Sequence, residues 1–151
     1  MKIVDIYGKK KPELSFEIFP PKRDTALSDI TETLDVLCEL EPDYISVTFG
    51  AGGSSSNNKT IKIARMIKEK YGVAPLVHLT CRCYSKEEID GFVKELHENG
   101  IENVLALRGD ENPDAPSKSD FLHASDLTAY LRQNTDFCIG GACYPECHPE
   151  S

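Results

Sequence analysis

Residues 77–82 read VHLTCR, and apolar and polar residues alternate strictly along them. The first, third and fifth positions are apolar, whereas the second, fourth and sixth carry polar or charged side chains. This period of two predicts a β-strand with one apolar face and one polar face. A central strand of a doubly wound sheet is covered by helices on both faces and is instead a nearly continuous apolar run. The pattern therefore favours a (β/α) barrel, in which helices cover the outside and polar residues line the inside.

Three other segments continue the same two-sided pattern. They are residues 14–19, 44–49 and 105–110, which read LSFEIF, YISVTF and LALRGD. The helix-facing side of the four strands is predicted to carry Leu14, Phe16, Ile18, Ile45, Val47, Phe49, Val77, Leu79, Cys81, Leu105 and Leu107. The interior is predicted to carry Ser15, Glu17, Ser46, Thr48, His78, Thr80, Arg82 and Arg108, with Asp110 just beyond.

Each of the first four predicted strands is followed by a helical pattern, so the chain is a βα repeat. Apolar residues recur at helical spacing in residues 27–37, 61–71, 89–96 and 127–131. Ser85 and Glu88 form a capping box before the third helix, and a fifth strand begins near Asp136. We predict a single incomplete (β/α)8 TIM-barrel domain over residues 1–151, with the first five strands and four helices, because a whole barrel takes about 250 residues. A flavodoxin-like sheet is the alternative arrangement.

The composition argues against several classes of function. The chain has 25 acidic and 17 basic residues and a formal net charge of −8, which disfavours binding to nucleic acid or to anionic membranes. No secretory signal or membrane-spanning apolar run is recognisable, so we expect a cytoplasmic protein whose six cysteines are reduced thiols. A metal site is not expected, because Cys143, Cys147 and His148 have only loosely suitable spacing and no second cysteine pair accompanies them.

The first strand places a carboxylate, Glu17, where the alternation points into the barrel. Its apolar neighbours, among them Phe16 and Phe19, are expected to remove water from the carboxyl group and so to favour its protonated form. A protonated carboxyl at the C-terminal end of a barrel strand is suited to general acid catalysis. The alternative interpretation is a buried carboxylate paired with Arg82 or Arg108.

Two loops follow predicted strands at the same rim. Arg108, Gly109 and Asp110 end the fourth strand and are consistent either with a simple turn or with ligand binding at the barrel mouth. Residues 49–58, FGAGGSSSNN, are rich in glycine and precede a helix, but they match neither the dinucleotide fingerprint nor the P-loop. We expect a flexible loop whose backbone lies near a ligand.

Six motifs occur in an order that strongly resembles the methylenetetrahydrofolate reductase family. They are SFEIFPPK, YISVTFGAGG, HLTC, LALRGD, ASDL and YPECHPE, and the likeness extends from Leu14 to the last residue. The resemblance implies an FAD-containing (β/α)8 barrel that takes reducing equivalents from NADH or NADPH. The implied reaction converts 5,10-methylenetetrahydrofolate to 5-methyltetrahydrofolate, in one-carbon metabolism and methionine synthesis.

The resemblance also implies roles for individual residues. Glu17 would protonate N10 of the folate and open its five-membered ring to an iminium ion, and Asp110 would lie close to both the flavin and the folate. Thr48 would be at the nicotinamide site. The positions that match flavin contacts are Phe49, Ala51, His78, Arg108, Gly109, Asp110, Ala124, Tyr144 and His148.

The chain departs from the family pattern at three positions. Phe49 and His123 stand where tyrosines are common, and Lys22 replaces a frequent arginine. Two further functions stay open beside the enzyme. One is a half-barrel flavin-binding module that needs a partner chain, and the other is a small flavodoxin-like electron carrier. Because an open barrel leaves strand edges unpaired, we also expect a homo-oligomer.

Overall fold

Five parallel strands lie side by side in a computed structural model, in the order in which they occur along the chain. The structure describes residues 1–8, 12–21, 27–49, 54–110 and 117–147. The strands are β1 (Ser15–Ile18), β2 (Tyr44–Val47), β3 (Ala74–Thr80), β4 (Asn103–Leu107) and β5 (Cys138–Gly141). The helices are a short 3₁₀ helix (Ile3–Asp5), α1 (Leu27–Cys38), α2 (Ser54–Tyr71), α3 (Lys86–Glu98) and α4 (Ala124–Asn134).

The sequential strand order confirms the prediction of a partial barrel. In a flavodoxin-like sheet the first strand lies between the second and the third, whereas here β1 pairs with β2 alone among the described strands. Each strand is joined to the next through a helix, as parallel pairing requires. The flavodoxin-like alternative is therefore wrong as a description of the fold.

The main core lies between the sheet and the helices. Val47, Val77 and Val104 are in register on three neighbouring strands, and none of them is exposed. Ile67 of α2 and Leu127 of α4 belong to the same buried cluster. Burial of side chains of this size stabilises the fold by about 1.5–3 kcal/mol each, so this apolar layer fixes which face of the sheet the helices cover.

The predicted orientation of the fourth strand is wrong. Leu105 and Leu107 pair in register with His78 and Thr80, so they lie on the interior side of the sheet. Their neighbours at positions 104 and 106 occupy the buried outer side instead. The reason is that residues 104–107 are all apolar and have no alternation of their own. Arg108 set the predicted orientation, but it lies beyond the end of the strand.

The predicted capping box begins the third helix. The Ser85 hydroxyl accepts a hydrogen bond from the Glu88 backbone nitrogen at 3.3 Å, and the Glu88 carboxylate accepts one from the Ser85 nitrogen at 2.6 Å. These two bonds satisfy backbone donors that a helix otherwise leaves unpaired at its first turn.

The N-terminal segment is bound to β3 and β4 through one buried amide. Asn103 accepts a hydrogen bond from the Ile3 nitrogen at 2.8 Å and donates to the Met1 and Pro75 carbonyls, each at 3.1 Å. Ile3 packs with Ile6 in a small buried cluster separate from the main core. Since Asn103 is 1% exposed, these bonds are shielded from water.

None of the helices in the described ranges is both long enough and apolar enough to cross a lipid bilayer.

Candidate active site

A cavity of about 910 Å³ lies at the C-terminal end of the strands. Its walls come from the last residues of β3, β4 and β5, from the segments that follow β2, β3, β4 and β5, and from the first turns of α4. The sequence-predicted residues that line it are Thr48, Phe49, His78, Arg108, Gly109, Asp110, Ala124 and Tyr144. The structure thus brings these residues to one place, although what they bind remains a prediction. Ala51, His148 and Lys22 lie outside the described residues.

The turn after β4 is held tightly against the end of β3. The Arg108 carbonyl accepts hydrogen bonds from the backbone nitrogens of Cys81 and Arg82, at 3.2 and 2.8 Å. Gly109 has φ of +84°, and a Cβ atom added there would lie 2.9 Å from the Cβ of Thr80. A side chain is therefore excluded at this position by both backbone conformation and space. The two neighbours of Gly109 in the turn consequently have a fixed position at the rim.

Glu17 lies beside this cavity but does not line it. Its carboxylate oxygen Oε2 is 3.3 Å from Nε2 of His78, which lines the cavity, and 3.3 Å from the Ser46 hydroxyl. Among the described residues these two are its polar partners, and neither Arg82 nor Arg108 is one of them. The alternative of a carboxylate paired with an arginine therefore does not describe this structure.

The expected loss of hydration at Glu17 is not observed in this chain. The Glu17 side chain is 49% exposed, and Phe19, one of its apolar neighbours in sequence, is 68% exposed. The reason is that β1 is an edge strand of the described sheet, so the carboxylate has a neighbouring strand on one side only. Apolar neighbours along the chain do not by themselves cover a side chain.

His78 is the most deeply buried titratable group among the residues that line the cavity. It is 8% exposed, and burial lowers the pKa of its imidazole below 6.5, while the charge of Glu17 acts in the opposite direction with smaller effect. The ring is accordingly neutral at pH 7. Its Nε2 atom is buried and close to Glu17, but the two groups are poorly aligned for a hydrogen bond.

An aromatic group supports the wall that follows β2. Phe49 lines the cavity and packs edge-to-face against Tyr84 and Phe92, with ring centroids 5.9 and 5.3 Å apart. Such contacts are worth about 0.5–1.5 kcal/mol beyond the area they bury. Although Phe49 lacks the hydroxyl of the tyrosine that the family pattern favours, its ring is held firmly at the cavity.

The N-terminus of α4 opens onto the same cavity. Ala124 and Ser125 line it, and their backbone N–H groups, which have no partner among the described residues, are available to an anionic ligand. Asp126 caps the same end by accepting hydrogen bonds from the backbone nitrogens of Leu122 and His123, at 3.0 and 2.8 Å. These bonds lower the pKa of Asp126. This end of α4 can thus contribute hydrogen-bond donors to a phosphate or a carbonyl group.

Several cavity residues were not singled out from the sequence. Ser125 and Thr128 line the cavity, as do Thr80 and Arg82, which are predicted from the sequence to face the interior but are not assigned to a ligand site. Ser125 could have been found from the ASDL motif, which marks the start of a helix after a barrel strand. The sequence predicts only that Ser46 faces the interior. Its contact with Glu17 could not be predicted, because that contact depends on the register of two strands.

Comparisons with known proteins identify one family. The model of the family described as methylenetetrahydrofolate reductase matches residues 2–151. Methylenetetrahydrofolate reductase 1 of Schizosaccharomyces pombe is 42% identical over 144 residues, which cover 91% of this chain and 24% of that protein. The 5,10-methylenetetrahydrofolate reductase of Escherichia coli is 36% identical over 138 residues, which cover 91% of this chain and 46% of that protein.

A third relative, the 5,10-methylenetetrahydrofolate reductase of Buchnera aphidicola, is 40% identical over an alignment of 155 positions, gaps included, which covers 97% of this chain and 51% of that protein. The chain thus spans about half the length of these bacterial relatives and about a quarter of the yeast one. The family match extends over nearly every residue, and eight of the site residues that the sequence predicted line the cavity. The chain belongs to the methylenetetrahydrofolate reductase family.

Proposed function

We propose that this chain forms the first half of a flavin-dependent barrel that reduces 5,10-methylenetetrahydrofolate to 5-methyltetrahydrofolate with NADH or NADPH. The observation that carries the proposal is the convergence of Thr48, His78, Arg108 and Asp110 on one cavity, with Glu17 in contact with His78. Family membership supports the same reaction, since the relatives are named for it.

The cavity suits a flavin in size and in the kinds of group that line it. Its volume of about 910 Å³ is at the upper end of the range for small-molecule sites. Arg108 and the N-terminus of α4 are suited to flavin carbonyl and phosphate oxygens, and Phe49 and Tyr144 offer aromatic surface. The buried Nε2 of His78 has no aligned hydrogen-bond partner among the described residues, so it is a further polar group that a ligand can satisfy. When bound, FAD supplies hydride transfer from the nicotinamide to the folate.

The acidic residues have separate roles in this proposal. Glu17 is the general acid that delivers a proton to N10 of the folate, which opens the five-membered ring. Asp110 is exposed at the rim, where its negative charge stabilises the cationic iminium form of the folate. In the complete site the folate itself and the remaining strands would cover Glu17 and remove the water that reaches it in this chain.

We further propose that the barrel is completed by segments beyond these residues. Both β1 and β5 have a single neighbouring strand among the described residues, and an exposed strand edge recruits another strand. We call the polypeptide or complex that contains this half and closes the barrel the complete-barrel protein. If one polypeptide forms it, its mass is roughly twice 16.8 kDa, and a half-barrel module would instead be found with a partner chain. A cytoplasmic location and a homo-oligomeric state complete the proposal.

The test compares Glu17→Gln with wild type in the complete-barrel protein, measuring the two half-reactions separately by stopped flow. Flavin content and flavin reduction by nicotinamide should be retained, because neither step uses a proton from Glu17. Folate reduction should slow by about 10²–10⁴-fold, the usual value of a general acid. Glu13→Gln is the matched control, since Glu13 precedes β1 and does not line the cavity.

Each other outcome contradicts a defined part of the proposal. Normal folate reduction by Glu17→Gln removes this carboxyl from the mechanism. Loss of flavin together with a lower melting temperature assigns Glu17 a structural role. If the wild-type protein neither contains flavin nor binds added FAD, the flavin-dependent activity is refuted.

A further inference from the structure

Two polar groups approach the same oxygen of Glu17. The Ser46 hydroxyl and Nε2 of His78 each lie 3.3 Å from Oε2. Ser46 reaches it because it is directly opposite Glu17 in the register of β1 and β2, so both side chains point to the interior. The other oxygen, Oε1, has no hydrogen-bond partner among the residues that the structure describes. The two oxygens of this carboxyl group therefore have different surroundings.

Ser46 has few alternatives to this contact. It is 7% exposed, and a buried hydroxyl without a partner is unfavourable. Its only other acceptor among the described residues is the Phe16 carbonyl, which is farther away at 3.5 Å. Ser46 does not line the 910 Å³ cavity, so an effect of Ser46 on the reaction would have to pass through Glu17.

We propose that Ser46 is a positioning residue that binds Oε2 of Glu17 and leaves Oε1 to carry the proton for the folate. The inference rests on the proposed function of the chain. In the step that it serves, the O–H bond at Oε1 breaks and the lone pair of folate N10 takes the proton. The bond between N10 and the bridging carbon then breaks with its electron pair going to N10, which leaves the iminium cation and the Glu17 carboxylate.

The arrangement also stabilises the carboxylate that remains. After proton transfer, the Ser46 hydroxyl donates to Oε2, and a neutral His78 that carries its proton on Nε2 can donate to the same atom after a small rotation of the half-exposed Glu17 side chain. Hydrogen bonds to a charged group are stronger than those to a neutral one, so the contact with Ser46 strengthens as the proton leaves. An interaction that strengthens along the reaction accelerates it.

Ser46 allows a cleaner test than His78, because His78 also lines the cavity. The experiment is a double-mutant cycle in the complete-barrel protein with Ser46→Ala, Glu17→Gln and the pair together. Ser46→Ala should slow folate reduction by about 10- to 100-fold, the effect of one hydrogen bond to a charged group. It should lower kcat with little change in the folate KM and leave flavin reduction at the wild-type rate. In the Glu17→Gln background, Ser46→Ala should cause no further loss.

Two further variants separate positioning from folding. Ser46→Thr keeps the hydroxyl and should recover most of the rate, whereas Ser46→Cys is similar in size but donates only weakly and should not. If Ser46→Ala does not fold, Ser46→Cys takes its place in the cycle. Ser85→Ala removes the N-cap of α3 away from Glu17, so it should lower stability without changing folate reduction.

The outcomes distinguish this inference from the function on which it rests. Wild-type folate reduction by Ser46→Ala, equal slowing of both half-reactions, or losses that multiply in the double mutant each overturn the positioning role. In those cases a slow Glu17→Gln variant still supports the proposed function. If Glu17→Gln itself reduces folate at the wild-type rate, the role of Glu17 fails and that of Ser46 fails with it.

Discussion

Replacing Gly109 by alanine should destabilise the protein and move the rim of the candidate site at the same time. Gly109 has φ of +84°, a conformation that costs an L-residue about 1–2 kcal/mol. The new Cβ would also lie 2.9 Å from the Cβ and 3.3 Å from the Cγ2 of Thr80. Overpacking of this kind costs about 1–3 kcal/mol. The sum is a loss of about 2–5 kcal/mol in the free energy of unfolding.

The strain cannot be relieved by moving one flexible side chain. The contact is with the Cβ of Thr80, which is fixed to the backbone of β3, and the preceding Arg108 carbonyl is bonded to the chain that follows β3. The turn itself must therefore shift, and it carries Arg108 and Asp110 away from their positions. We expect FAD affinity to fall together with stability.

The measurement is denaturant unfolding of the complete-barrel protein, with FAD titration of the folded variant. Gly91→Ala is the control, and its expected change in stability has the opposite sign. Gly91 lies inside α3, and outside that helix's own backbone no atom lies within 4 Å of an added Cβ. Alanine should stabilise that helix by about 0.5–1 kcal/mol and leave FAD affinity unchanged. The reasoning is refuted if the free energy of unfolding of Gly109→Ala lies within about 0.5 kcal/mol of the wild-type value and the variant binds FAD normally.

Two further predictions concern a buried amide and a buried imidazole. Asn103→Ala should lower the free energy of unfolding by about 2–5 kcal/mol, because the Ile3 nitrogen and the Pro75 carbonyl lose their buried partner. Asn134→Ala removes one exposed hydrogen bond and should change the free energy of unfolding by less than about 0.5 kcal/mol. If denaturant unfolding gives the same loss for Asn103→Ala and Asn134→Ala, the reasoning is contradicted. The pKa of His78 is lowered by burial, so the unfolded chain binds the proton first and stability should fall as the pH drops below about 6.5. His78→Gln should flatten this dependence in unfolding curves at a series of pH values, and an unchanged slope would exclude His78 as its source.

The fold could be predicted where a strand alternates and not where it is uniformly apolar. In β3 the pattern around His78 identified both faces correctly, since Val77 and Leu79 lie in the main core. In β4 the same reasoning assigned Leu105 and Leu107 to the wrong face of the sheet, because a run without polar residues contains no information about which side faces the helices. In the structure, the register between β3 and β4 shows which residues of β4 face the helices. That register cannot be read from a single sequence.

The candidate site could also be predicted only in part. Residues that follow strand ends, such as Thr48 and Arg108, could be placed at a common rim because parallel strands end at the same edge of the sheet. The exposure of Glu17 could not, since it depends on which strands flank β1. Its contact with Ser46 was equally inaccessible, because it joins residues 29 positions apart across two strands.

The anchoring of the N-terminal segment has a consequence for the order in which the newly made chain can fold. Each strand pairs with the one made just before it, so the sheet can grow in step with synthesis. The Ile3 nitrogen, in contrast, bonds to Asn103, which lies 100 residues later. Ile3 and Ile6 are made well before Asn103, so they can reach their buried positions only once β4 has left the ribosome. Throughout that interval these two apolar side chains lack their buried positions, and exposed apolar surface in a partly made chain favours aggregation and chaperone binding.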